Sequence, residues 1–346
     1  MYKIHMLPSK LKERLFHQGY RFIGKHSAVK ICEWTKKSIR NKGICYKGLF
    51  YGIKSWRCVQ MTPSLGFCNL RCEWCWRDIN FSKPDWNLSK EETDKPKEII
   101  RNAILQQREL LIGYKGFGKV NKERFIEAML PIHFAISLSG EPTLYPLLPE
   151  LIKELHKERI TSFVVSNGTN PEMLKEMLEN KNTEPTQMYI TLAAPDKEVF
   201  EKVTHPLKAN LWEALISSLK ILKRFKRPTI RITTTKGKNM ENAEGYAELI
   251  KIANPAFVEV KAYMPIGFSR ERLGYRFMPS HEEIVKFARE INKSIDYVLA
   301  AESKPSKVVL LWDNERERRI NLEECIEAHK PDSEIIEKYM PATKTK

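Results

Sequence analysis

Cys68, Cys72 and Cys75 share one short stretch of the segment MTPSLGFCNLRCEWCWRD (61–78), with Trp74 between the last two. A structural zinc takes four tetrahedral protein ligands, so three clustered thiols leave a ligand unaccounted for. A [4Fe-4S] cube resolves this. Three thiolates hold three irons, the fourth iron stays open to a small molecule, and the Cys-x3-Cys-x2-Cys spacing is short enough to wrap one cube. The competing arrangement is a zinc held by Cys58 together with Cys68, Cys72 and Cys75. Upstream, Cys32, Cys45 and Cys58 are separated by twelve residues each. They read either as a second metal site or as buried small hydrophobes.

Such a loop needs a scaffold. β-branched apolar runs at 57–63, 132–139, 160–167, 187–194, 229–235 and 256–263 alternate with helical patterns at 95–113, 121–130, 146–158, 171–179, 196–203, 209–226 and 241–253. Asn170-Pro171 and Asn210 are plausible helix starts. The alternation predicts an α/β fold, a parallel sheet with helical crossovers, closed as a barrel or open. Ligands of such sheets gather at the C-terminal strand ends. The cysteine loop follows the first strand, SGEPTLYP (139–146) the second and SNGTNPE (166–172) the third, so three polar exits share one face.

The chain has 346 residues, 42% of them hydrophobic, which suffices for one large domain with extensions or for two domains. No apolar run approaches the ~18 residues of a membrane span, and the start lacks a signal-peptide core. Six of the seven cysteines fall between residues 32 and 75, which is not the disulfide framework of a secreted protein. A cytoplasmic location is therefore expected. Lys and Arg number 59 against 43 Asp and Glu, a formal charge of +16. Where signs alternate, as in NERERRINLEE, the charge fits a salt-bridged surface. The one-signed runs KKSIRNK (36–42), KILKRFKRPTIRI (220–232) and SRERLGYR (269–276) fit contact with nucleic acid.

Cys68, Cys72, Trp74 and Cys75 match Cys-x3-Cys-x-aromatic-Cys, and on this motif the sequence resembles the radical S-adenosylmethionine (SAM) superfamily. The resemblance implies a partial (βα)6 TIM-like barrel. It also implies an open iron that chelates the methionine moiety of SAM, with Trp74 near the adenine, and reductive cleavage to a 5′-deoxyadenosyl radical. Gly140-Glu141-Pro142 matches the element that holds the SAM amino group, with Ser139 in place of its first glycine. Ser166 and Asn167 stand where the family contacts the ribose or carboxylate.

The upstream cysteines, the charge and the segment from Cys45 to Asp78 further resemble the archaeal tRNA 4-demethylwyosine synthases of wyosine biosynthesis. That likeness implies a carbon–carbon lyase-class enzyme that condenses N1-methylguanosine, 3′ of the anticodon of tRNA-Phe, with pyruvate. It implies two [4Fe-4S] clusters, the second on Cys32, Cys45 and Cys58, and an external electron donor because no fused flavodoxin domain is expected. Pyruvate would be held by the open iron of that second cluster or as a Schiff base on Lys47; apart from the resemblance, Lys47 reads as a surface or RNA-contacting lysine. The expected division is an N-terminal extension (1–56), a radical SAM core (57–265) and a C-terminal extension (266–346), in a monomer. Two alternatives stand: another radical SAM enzyme, either an RNA modifier or a glycyl-radical activase, and a non-catalytic metal-containing nucleic-acid-binding protein.

Overall fold

The computed structural model describes residues 7–114 and 120–339; the outermost parts of both expected extensions lie outside these. Among the described residues the strands are β1 (Arg21–Phe22), β2 (Ala28–Lys30), β3 (Cys58–Thr62), β4 (His133–Ile136), β5 (Thr161–Ser166), β6 (Gln187–Thr191), β7 (Pro228–Thr234), β8 (Phe257–Ala262), β9 (Val298–Ser303) and β10 (Val308–Trp312). They form one sheet in the order β1-β2-β3-β4-β5-β6-β7-β8-β10-β9. β3 through β8 run parallel and are the six strands expected from the β-branched runs. Helices Pro96–Ile112, Lys122–Ala128, Leu148–Lys157, Pro171–Glu179, Lys197–Thr204, Leu211–Leu222 and Ala243–Ala253 fall on the helical patterns. β3 and β8 do not pair with each other, so the barrel is partial. Antiparallel strands continue the sheet beyond both: β2 and β1 beside β3, β10 and β9 beside β8.

Strand alternation sorts the two faces. Along β8, Val258, Val260 and Ala262 join the large core between sheet and helices, while Phe257, Glu259 and Lys261 turn into the lumen. The short helix Tyr46–Tyr51 occupies that lumen. Its Tyr46, Phe50 and Tyr51 pack with Phe163 of β5, Tyr189 of β6, Phe257 of β8 and Val308 and Leu310 of β10. The N-terminal segment thus fills the concave side of the sheet.

Helix ends follow local chemistry. Asn170 accepts a hydrogen bond from Met173 N with Pro171 at the first turn, and Ser280 and Glu283 form a capping box on His281–Asn292. Asn210 departs from expectation: its φ is 60° and its side chain makes no cap bond, so it serves as a left-handed turn residue ahead of the helix. Among the described residues no helix is long and apolar enough to cross a membrane.

Candidate active site

At the C-terminal strand ends, the mouth of the barrel, the loop after β3 is fixed by its backbone. Cys68 N donates to Lys83 O (2.9 Å), Arg71 N to Thr204 O (2.7 Å), Glu73 N to Val203 O (3.0 Å) and Cys75 N to Cys72 O (3.0 Å). All three cysteines are free thiols, Cys68 buried and the other two half-buried. Burial raises the pKa of Cys68, against which Arg77 works, and burial raises Cys72 as well. The buried Arg77 donates to Leu70 O and Ser82 Oγ. Burial opposes its charge, but the cysteines outweigh burial and its pKa rises. Trp74 is half-buried against the main core.

The second and third exits close on this loop. Gly140 has φ +75°, and a Cβ there would lie 2.0 Å from Ser64 O; only glycine lets the exit approach so closely. Glu141, 2% exposed, is a strut: Oε1 accepts from Thr143 N (3.0 Å) and Thr143 Oγ1 (2.7 Å), and Oε2 from Asn167 N (2.7 Å). Pro142 opens a single turn, Pro142–Leu144. Ser166 Oγ accepts from Gly168 N (2.9 Å). Asn167 Nδ2 donates to Asn69 Oδ1 (2.9 Å) and reaches Cys68 Sγ at 3.9 Å. Cys68, Cys72, Trp74, Cys75, Gly140, Glu141, Pro142, Ser166 and Asn167 are therefore gathered at one mouth.

The upstream cysteines meet at the opposite end of the lumen. Cys32 precedes helix Glu33–Ile39, Cys45 precedes Tyr46–Tyr51, and Cys58 opens β3. All three are free, half-buried thiols; burial pushes Cys45 and Cys58 up to about 12, with the charge of Cys32 adding to both. Lys47 is 9% exposed, and its Nζ lies 4.4 Å from the Tyr189 ring centre and 4.8 Å from that of Phe163. Burial and then Arg231 lower its pKa, with Glu259, Cys45 and Cys58 opposing.

Beside Lys47 runs a buried ionic network that sequence reasoning missed. Glu259, fully buried, accepts from Tyr46 Oη (3.0 Å), Tyr51 Oη (2.8 Å), Arg231 Nε (3.0 Å) and Arg231 Nη2 (2.9 Å). Burial pushes its pKa up, but Arg231, Lys47 and the Tyr51 hydroxyl outweigh this and the net shift is downward. Lys261 Nζ donates to Ser306 O (2.9 Å), and burial followed by Arg231 brings its pKa down to about 8. His133 is structural: Nε2 accepts from Lys54 N (3.2 Å) and Nδ1 pairs with Thr161 Oγ1 (2.6 Å).

Three free thiols on one short loop are a donor set that fits an iron–sulfur cube. Among the described residues no three His, Cys, Asp or Glu side chains converge as ligands of one ion would. The thiolates of a cube bind different irons and need not converge. Cys58 belongs to the floor set, which removes the fourth ligand that the zinc arrangement required.

Topology also sorts the basic runs. Residues 220–227 join the end of helix Leu211–Leu222 to the start of β7 and so lie at the floor end. Arg227 donates to Arg318 O, and Arg231 is inside the lumen. The 36–42 run lies by helix Lys122–Ala128, where Arg124 donates to Ser38 O (3.0 Å). SRERLGYR (269–276) alone of the three is at the mouth. There Arg272 donates to the carbonyls of Glu73 (3.2 Å), Cys75 and Arg77 (3.4 Å), clasping the cysteine loop from some two hundred residues away in sequence.

Comparison with known proteins agrees with this geometry. Residues 62–250 match the radical SAM superfamily and residues 252–313 the family described as wyosine base formation. The S-adenosyl-L-methionine-dependent tRNA 4-demethylwyosine synthase of Pyrococcus horikoshii is 44% identical over 308 residues, covering 88% of this chain and 89% of that protein. The enzyme of the same name from Methanocaldococcus jannaschii is 37% identical, covering 90% and 98%. A solved structure of TYW1 with a lysine-pyruvate adduct bound superposes with a TM-score of 0.80 at 36% identity, covering 91% of this chain and 99% of that one. The superfamily brings with it SAM and an iron–sulfur cluster. The chain belongs to the tRNA 4-demethylwyosine synthase family of radical SAM enzymes.

Proposed function

We propose that this chain converts N1-methylguanosine, 3′ of the anticodon of tRNA-Phe, to 4-demethylwyosine, with pyruvate as the source of two carbons. The observation that carries the reading is Lys47: a nearly buried amine among aromatic rings, without a hydrogen bond or ion pair to its Nζ among the described residues, beside three free thiols in a family where a lysine-pyruvate adduct is known. Glycyl-radical activation and a non-catalytic role leave that amine unexplained.

Cys68, Cys72 and Cys75 would hold one [4Fe-4S] cluster at the mouth, and Cys32, Cys45 and Cys58 a second at the floor. Trp74, Gly140, Glu141, Pro142, Ser166 and Asn167 would seat SAM. When bound, cluster and SAM together supply a 5′-deoxyadenosyl radical able to take hydrogen from the N1-methyl group. Lys47 would attack the pyruvate ketone, forming an Nζ–C2 imine as water leaves. The rings of Phe163 and Tyr189 shield the amine from water, and Glu259 holds Arg231 in place beside it. The guanosine must leave its stack to enter the lumen. Of the 1–56, 57–265 and 266–346 segments, the first would bring Cys32, Cys45 and Lys47 to the floor, the second Cys58 and the SAM site, and the third Arg272 to the mouth.

The test is direct. Anaerobically reconstituted protein is incubated with SAM, pyruvate, reductant and tRNA-Phe carrying N1-methylguanosine, and the nucleosides are analysed by mass spectrometry. 4-Demethylwyosine is expected. Release of 5′-deoxyadenosine with the methylguanosine left intact would assign the chain to a different radical SAM substrate.

A further inference from the structure

Segment 266–278 crosses the mouth and is fixed at several points. Phe268 N donates to Trp76 O (3.0 Å), and Lys236 N donates to Phe277 O (2.9 Å). Tyr263 Oη donates to Ser269 O (2.9 Å), and Arg272 grips the three loop carbonyls. Gly274 then turns the chain outward at φ +71°, a conformation open to glycine. The next residue, Tyr275, is 60% exposed, more than any other large hydrophobic side chain among the described residues. The Arg270 guanidinium lies 5.5 Å from its ring centre and that of Arg276 lies 4.6 Å from the ring of Phe277. Both arginines are exposed, and neither forms an ion pair among the described residues.

An exposed tyrosine alone is ordinary. Here it tops an anchored turn, flanked by two unpaired cations. It is three residues from Arg272, so their Cα atoms are at most about 11 Å apart, and the Arg272 side chain touches the carbonyl of Cys75. A base drawn out of an RNA stack leaves its neighbours with an uncovered face, and aromatic side chains with nearby arginines are what such faces stack upon.

We infer that Tyr275 is the stacking platform for a nucleobase adjacent to the modified guanosine in the tRNA anticodon loop, with Arg270 and Arg276 on the flanking phosphates. The inference rests on the proposed function and adds the residue that registers the RNA on the mouth. Fluorescence anisotropy of anticodon stem-loop RNA, with cluster-loaded protein and no reductant, tests it. Tyr275→Ala and Tyr275→Leu should each weaken binding by about tenfold or more, while Tyr275→Phe binds within about twofold of wild type. Iron content and melting temperature should match wild type in all three. Replacing one neighbouring base by an abasic nucleotide should weaken wild-type binding by a similar factor and Tyr275→Ala hardly at all. Unchanged binding by Tyr275→Ala, or penalties that multiply for both neighbours, would overturn the platform while leaving the proposed function intact. A wild-type protein that does not bind the stem-loop would overturn both.

Discussion

Glu259→Gln isolates the network that supports the floor of the lumen. The carboxylate accepts four hydrogen bonds, two from Arg231 and one each from Tyr46 and Tyr51, and has no exposed surface. The amide keeps the shape but removes the charge that balances Arg231, and its NH2 faces donors. Leaving a buried charge unpaired destabilises by about 3–5 kcal/mol. With an unfolding entropy of about 2.1 cal/mol/K per residue, a chain of 346 residues should melt about 4–7 °C lower. Tyr46 and Tyr51 belong to the helix that follows Cys45, so the floor thiols should lose iron before the mouth thiols do. Adding Arg231→Met removes the orphaned cation and should recover more than half of the loss. The assays are calorimetric melting and iron analysis of the reconstituted proteins. A Glu259→Gln variant that melts within 1 °C of wild type, or a double variant less stable than the single one, would refute the electrostatic account.

Alanine at Cys68, Cys72 and Cys75 together should abolish 5′-deoxyadenosine release and remove about half of the iron, whereas alanine at Cys32, Cys45 and Cys58 should remove the other half and spare the mouth site; full iron in the upstream variant would return those residues to the role of buried hydrophobes. Gly140→Ala forces a Cβ to within 2.0 Å of Ser64 O and should weaken SAM binding at least tenfold by calorimetric titration, an effect absent if the exit simply shifts aside. Burial, then the charges of Arg57, Lys47 and Lys54, lowers the pKa of His133 to about 3. The unfolded chain takes up a proton near pH 6.5 that the folded chain refuses until about 3, so stability falls as pH drops through that window, by at most about 5 kcal/mol from this group. The pH-dependence of urea unfolding should be shallower in His133→Asn, and an identical slope would show that the residue titrates normally.

Short-range signals were readable before folding. The cysteine spacing and the three strand exits are local patterns, and the six parallel strands declared themselves because β-branched runs between helical periods are what a covered parallel sheet requires. Strands β1 and β2, of two and three residues, are too short for any period to register. Arg231 and Glu259 meet only because β7 and β8 are neighbours in register; in sequence Arg231 reads as one more cation of a basic run, and Glu259 as the polar residue of a half-buried strand. Arg272 was equally hidden, since its carbonyl partners are backbone atoms that carry no sequence signature. Which basic run reaches the mouth depends on which end of a strand it adjoins, and that follows from the direction of the chain in the sheet, not from composition.

The central claim is that Lys47 carries pyruvate covalently. Reconstituted protein should be treated with borohydride in the presence of labelled pyruvate, digested, and mapped by mass spectrometry. The account predicts label on the peptide containing Lys47 in the wild type and none in Lys47→Ala, which should still bind SAM and tRNA while failing to build the tricyclic base. An unlabelled wild type, or a Lys47→Ala variant that makes product at the wild-type rate, would contradict it and favour the alternative holder, the open iron of a cluster that Cys32, Cys45 and Cys58 would bind.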